Sequence, residues 1–255
     1  MNAFLDRLRA GEPTLMLAIR SSRTADVVRI AKSTGHHAIM VDLEHSTIPL
    51  DVAASLCATA GDLGLFPFVR VPEREYGAIG RLLDCGAQGI IAPRVEAADE
   101  AAAIARACRF APRGQRSQLA AVPLTGMRPT PAATLNPALD DTTIAAILIE
   151  TPAGAAHADE IAAVDGVDML AFGANDFTAE LGVPGQYADP RVTGTIAALA
   201  EAGRRHGKPV MVGGIPDPAL LDSLAPLGVC PLRLTGTDTD MLYAGAAARA
   251  ERFAR

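Results

Sequence analysis

Tryptophan is absent from this 255-residue sequence, aromatic residues make up only 4% of it, and lysine occurs twice, at Lys32 and Lys208. The net charge is −6, and no basic cluster is interleaved with aromatics, so the chain lacks the means to grip a phosphate backbone and nucleic acid is excluded as a partner. No apolar run approaches the roughly 20 residues that span a bilayer. Asp6, Arg7 and Arg9 interrupt the region where a signal peptide needs its apolar stretch. These absences leave no membrane partner and point to a cytoplasmic protein. The four cysteines, Cys57, Cys85, Cys108 and Cys230, contain no CxxC pair and read as buried free thiols of a reducing compartment.

What the sequence does contain is apolar material, 49% of residues against 20% charged, which is ample for a sizeable core. Short apolar runs alternate with longer segments of helical periodicity, the pattern of a parallel sheet covered by helices. Eight runs are predicted as strands: 15–19, 37–43, 66–70, 89–93, 144–150, 167–172, 209–213 and 230–235. Eight strands with helices between them and no linker predict a single (β/α)8 barrel over residues 1–255. The segment 111–143, rich in Pro, Gly, Thr and Arg, breaks the rhythm. It is predicted as a long loop serving as a lid or an interface element, with a solvated insertion as the alternative.

In such a barrel the chemistry sits where the strands end. The second strand runs into "VDLEHS" (41–46), which brings Asp42, Glu44 and His45 to that rim. The third ends in Arg70, the fifth in Glu150, and the sixth leads through Gly173, Ala174 and Asn175 to Asp176. Glu150 and Asp176 supply hard oxygen donors suited to a divalent cation, or equally a rim salt bridge to an arginine. His45 is either a cap or a general base, and Asp84, ahead of the fourth strand, is a carboxylate that could fix its tautomer. Arg70 is either structural or a fork for a carboxylate or developing oxyanion. The stretch 173–176 is either a tight turn or an anion site made of backbone amides. His36, His37, His157 and His206 are assigned to structure or surface.

Taken together, "VDLEHS", "VRVP" (69–72), "LLDCGAQGIIAPRVE" (82–96), "LIET" (148–151) and "GVDMLAFGANDFTAELG" (166–182) resemble the metal-dependent class II pyruvate aldolases, the family of 4-hydroxy-2-oxoheptanedioate and 2-dehydro-3-deoxyglucarate aldolases. The resemblance runs from about Phe4 to residue 242. It implies a (β/α)8 barrel, commonly a hexamer, that cleaves a 4-hydroxy-2-oxo acid reversibly to pyruvate and an aldehyde. It further implies a divalent metal ion (Mg²⁺, Mn²⁺ or Co²⁺) held by Glu150 and Asp176 and chelated by pyruvate, with Arg70 at the enolate oxygen. His45, paired with Asp84, is then expected to move the aldol proton through a water. The amides of Asn175 and Asp176 hold the pyruvate carboxylate, and Asp42 and Glu44 support.

Three stretches depart from the family pattern. Leu148 stands where relatives often carry glutamine; Ile19, Arg20 and Ser21 replace an aromatic near the end of the first strand; and "RSQLAAVPLTGMRPT" (116–130) does not match the usual arginine-rich continuation. These departures lead to the expectation of a less polar acceptor pocket that favours small or apolar aldehydes. A Claisen-type lyase or synthase, or an oxaloacetate decarboxylase, is the alternative, in which Arg113, Arg116 or Arg128 serves an extra carboxylate. A metal-binding barrel without turnover is the third reading.

Overall fold

The computed structural model describes residues 3–254. Eight parallel strands close into one barrel in sequence order: β1 Thr14–Ile19, β2 Ala38–Asp42, β3 Phe66–Arg70, β4 Gly89–Ala92, β5 Ile144–Ile149, β6 Met169–Gly173, β7 Val210–Gly213 and β8 Leu232–Thr237. Each overlaps its predicted run. Residues within a strand alternate between two apolar layers, as the two-residue period of a strand requires. Met16 and Ala18 join the cluster inside the barrel, whereas Leu17 and Ile19 join the layer beneath the helices.

The barrel interior is a packed core and not a pore. The helix Ala3–Arg9 closes the end where the strands begin, with Phe4 stacked on Phe66 at 4.5 Å between centroids and edge-on to Phe68 at 5.5 Å. Space inside is tight enough to fix one glycine. A Cβ on Gly89 would sit 2.2 Å from Cδ1 of Phe68, so β4 can start only with a residue that has no side chain.

Three expectations are corrected. The segment 111–143 is not structureless: it holds the helix Ala132–Thr142, which carries Pro137 and buries Leu135 and Leu139 with Phe110 and Val122 in a satellite core. Its proline and threonines masked the helical period. No residue of this segment lines the central cavity among the described residues. Second, Cys57, Cys108 and Cys230 are buried free thiols, but Cys85 is exposed because it caps the short helix Ile79–Asp84 on the outside. Third, Asp84 ends that same helix, just before β4 begins, and so lies toward the strand-start end of the barrel, away from the functional rim. There its Oδ1 accepts from Nη2 of the buried Arg116 at 2.9 Å.

The last helix, Asp238–Phe253, differs from the others in burying nothing. Leu242, Tyr243 and Phe253 are 71, 78 and 81% exposed. Beside it runs a trough lined by Ile215, Pro216, Pro218, Leu221 and Leu234.

Candidate active site

β2 and β3 deliver the first charges in register, with Asp42 paired to Arg70 as Cα partners at the strand ends. Asp42 is fully buried and acts as a hub. It accepts from Arg70 Nε at 2.9 Å and Nη2 at 2.6 Å, and from Arg20 Nε at 2.6 Å. Its Oδ1 also takes the amides of Glu44 and His45 at 3.2 and 3.3 Å, and the Ser46 hydroxyl donates to its carbonyl. These bonds curl 42–46 into a tight turn. Burial pushes the Asp42 carboxyl up, but the hydrogen bonds and charge of Arg70, then Arg20, outweigh it and hold the pKa at about 2.

That turn throws Glu44 inward and His45 outward. Glu44 Oε2 lies 3.0 Å from Arg70 Nη1, yet it is buried without a bond of hydrogen-bonding geometry. His45 is half exposed, and its Nε2 stands 3.8 Å from Glu44 Oε2. The expected His45–Asp84 pair is not made within this chain, because Asp84 is at the other end of the barrel on Arg116. Glu44 is the acid beside the imidazole.

Glu150 follows β5 and is 2% exposed. Its Oε1 accepts from the Arg94 amide at 3.0 Å, and Arg94 holds a left-handed φ of 52° to present that amide. A Cβ on Gly173 would lie 2.5 Å from Glu150 Oε2, so glycine at the end of β6 leaves the carboxylate its place. Burial, and then the charges of Glu44 and Asp176, push the Glu150 carboxyl up to about 8. Glu44 is raised as well, first by burial, with Asp42 and Asp176 adding to it against the pull of Arg70 and His45.

A cavity at the strand ends brings together Arg70, Glu150, Gly173, Ala174, Asn175 and Asp176, over an apolar floor that includes Leu148. His45, Asp42 and Glu44 are not part of this lining; Asp42 and Glu44 reach it through their contacts with Arg70. Asn175 and Asp176 occupy the first turn of the helix Ala174–Glu180, where amides have no intrahelical acceptor. The Asn175 side chain is fixed by Tyr187, whose hydroxyl donates to its Oδ1 at 2.6 Å. Sequence reasoning missed two participants, the Arg94 amide and Arg20, which also lines the cavity. The four other histidines serve structure: His157, for example, contacts the Glu96 carbonyl and His206 the Asp159 carboxylate, each at 2.9 Å.

The donor set fits a divalent cation. Asp42, Glu44, Glu150 and Asp176 face only two guanidiniums, Arg20 and Arg70, which leaves a deficit of two positive charges when all four acids ionise. Burial first, and then the neighbouring acid charges, raise Glu150, and the Glu44 Oε2 is buried without a hydrogen bond. Among the described residues no three His, Cys, Asp or Glu side chains stand ready to hold a metal by themselves. Two carboxylates with remaining positions left to substrate and water suit a hard cation such as Mg²⁺.

A closed (β/α)8 barrel with carboxylates, an arginine fork and free amides around one mouth has the groups an enzyme needs to hold a small anionic substrate and stabilise charge on its oxygen. The chain belongs to the HpcH/HpaI aldolase/citrate lyase family, whose model matches residues 16–213. It is 37% identical over 217 residues to a 4-hydroxy-4-methyl-2-oxoglutarate aldolase of Hapsidospora irregularis, covering 84% of this chain and 80% of that one. It is 32% identical over 260 residues to a 4-hydroxy-2-oxovalerate aldolase of Rhodococcus jostii, covering 100% and 97%. A solved HpcH/HpaI aldolase from Desulfitobacterium hafniense superposes with a TM-score of 0.90 at 26% identity, over 99% of this chain and 97% of that one. The protein is an aldolase of this family.

Proposed function

We propose that the protein cleaves a 4-hydroxy-2-oxo acid reversibly to pyruvate and a carbonyl acceptor, with a divalent cation (Mg²⁺, Mn²⁺ or Co²⁺) held by Glu150 and Asp176. The observation that carries the reading is the Glu150 carboxylate, buried at a cavity that Asp176 and Arg70 also line. The substrates in the names of the two relatives above share a 4-hydroxy-2-oxo acid core, which supports the same class here. Bound there, the cation supplies Lewis acidity to the oxygens of the 2-oxo acid.

The residues divide the remaining work. The amides of Asn175 and Asp176 hold the pyruvate carboxylate, and Gly173 and Ala174 keep side-chain bulk out of its path. His45 takes the C4 hydroxyl proton through a water, the C3–C4 bond breaks, and its electron pair moves onto the C2 carbonyl as the enolate. Arg70, locked in place by Asp42, stabilises the enolate oxygen with a fork that needs no reorganisation. Glu44, rather than Asp84, supports the charged imidazole in this reading. The proton is returned to C3 to give pyruvate.

The test is pyruvate release from 4-hydroxy-2-oxo acids, detected with lactate dehydrogenase, together with exchange of the pyruvate methyl protons in D₂O. His45→Ala is expected to slow cleavage by about 10²-fold, the low end for general acid–base groups, because a half-exposed site admits water as a substitute. Near-normal turnover in this variant would remove His45 from the mechanism.

The protein is further proposed to be a cytoplasmic homo-oligomer, a hexamer by resemblance. The free thiols agree with a reducing compartment, and among the described residues no helix is long and apolar enough to cross a membrane. The exposed Leu242, Tyr243 and Phe253 beside an apolar trough support self-association. Sedimentation velocity is expected to show an assembly; a monomer at micromolar concentration would overturn this.

A further inference from the structure

We propose that Arg20 is a specificity-determining residue that selects an acceptor carrying its own carboxylate, so that the preferred substrate is a 4-hydroxy-2-oxo dicarboxylate. The inference rests on the aldolase reading above. Arg20 follows β1, and Glu150 follows β5; in a closed barrel of eight strands in sequence order these two stand on opposite walls. A substrate whose 2-oxo acid end lies at Glu150 and Asp176 therefore points its far end toward Arg20. Both arginines and both acids line the same cavity.

Arg20 is held as a preorganised fork. Its amide donates to Asp238 Oδ1 at 2.9 Å, and the Ser21 and Ser22 amides donate to Asp238 Oδ2 at 3.1 and 2.7 Å, which pins the main chain. Its Nε donates to Asp42, so the side chain is fixed near its middle. Its two terminal nitrogens have no partner among the described residues, and the side chain is 35% exposed. Asp42 has both oxygens engaged by Arg70 as well, and Arg20 reaches it with Nε alone. The strands β1 and β8 beside it add only the uncharged Met16, Ala18, Leu234 and Thr237 to this cavity, while the trough that Arg20 also borders holds Asp222, Arg233 and Asp240. An unspent, immobilised fork there is suited to the paired oxygens of a carboxylate. The expectation of a pocket for small apolar aldehydes is thereby revised: Leu148 does line it, but a cation stands where the aromatic is missing.

The test uses two substrates that differ at C4 only by a carboxylate in place of a hydrogen, 4-hydroxy-4-methyl-2-oxoglutarate and 4-hydroxy-2-oxovalerate. Wild-type protein is expected to prefer the dicarboxylate. Arg20→Gln is expected to shift the ratio of kcat/KM values toward the monocarboxylate by about 10- to 100-fold, the worth of a charge-assisted bidentate contact, and Arg20→Lys by less, since the charge remains without the fork. Arg20→Lys also keeps the measurement available if the glutamine variant fails to fold. An equal loss on both substrates, or a wild-type preference for the monocarboxylate, would overturn the proposal and leave Arg20 a buttress of Asp42. Failure of the aldolase reading is separately visible: wild-type protein would then exchange no pyruvate methyl protons in D₂O with Mg²⁺ or Mn²⁺ present.

Discussion

Replacing either Glu150 or Asp176 by alanine is expected to reduce pyruvate release by about 10³-fold or more, with no rescue by added cation. Treating the wild-type protein with a chelator is expected to abolish activity, and Mg²⁺, Mn²⁺ or Co²⁺ to restore it. The asymmetry between the two experiments follows from the site. Chelation leaves Glu150 cradled by the Arg94 amide and Gly173, ready to bind again, whereas the variants remove a donor that no neighbour replaces. Glu44, the other acid whose charge acts on Glu150, already lies 3.0 Å from the Arg70 guanidinium without a hydrogen bond to it. The rival route, an imine on a lysine, has no amine to use. Lys208 sits just ahead of β7, at the strand-start end, with its Nζ on the Val167 carbonyl, and neither lysine lines the cavity. Borohydride with pyruvate should accordingly leave no adduct. A trapped lysine adduct, or full activity in excess EDTA, would sink the mechanism.

The barrel was legible because strands of a parallel barrel are buried on both faces and therefore appear as continuous apolar runs. β5, buried along its whole length, was plain in "IAAILIE". β8 was found less well, at 230–235 against Leu232–Thr237, because its second half is polar and partly exposed beside the trough. The rule that chemistry collects where strands end identified Asp42, Arg70, Glu150 and Asp176, and the structure brings their charges to one mouth. Applied to the first strand the same rule would have found Arg20, one residue beyond Ile19. Arg94 carried no such signal: its contribution is a backbone amide, and the left-handed φ that aims it leaves no trace in residue type. Asp84 shows the limit from the other side. It precedes its strand, which within this chain puts it on Arg116 at the opposite end of the barrel from His45.

The pH dependence of stability is the sharpest physical consequence of the site. A carboxyl whose folded pKa is raised from 4.5 to about 8 binds its proton more tightly in the native state than in the unfolded chain. Its contribution is therefore most favourable below about pH 4.5, declines as pH rises through the interval up to 8, and is constant above it. Taken in full, the shift corresponds to a loss on the order of 5 kcal/mol. Asp42 acts in the opposite sense: held at about 2, it stabilises above its ordinary range and loses that contribution only as pH falls toward 2. Through Glu150 the Tm of the metal-free protein in EDTA is thus expected to fall by roughly 5–15 °C between pH 5.5 and 8.5, allowing about 2–4 °C per kcal/mol for a chain of this size. A divalent cation binds the ionised carboxylate in competition with the proton, so its stabilising effect should be small at pH 5.5 and large at pH 8.5. Glu150→Gln keeps the shape and removes the titration. It should flatten most of the slope in EDTA, with Glu44, raised for the same reason, leaving a remainder. Calorimetric scans across this range check both points. A Tm in EDTA that does not vary with pH, or a full slope retained in Glu150→Gln, would show that the buried acid is not the origin of the charge deficit that the cation relieves.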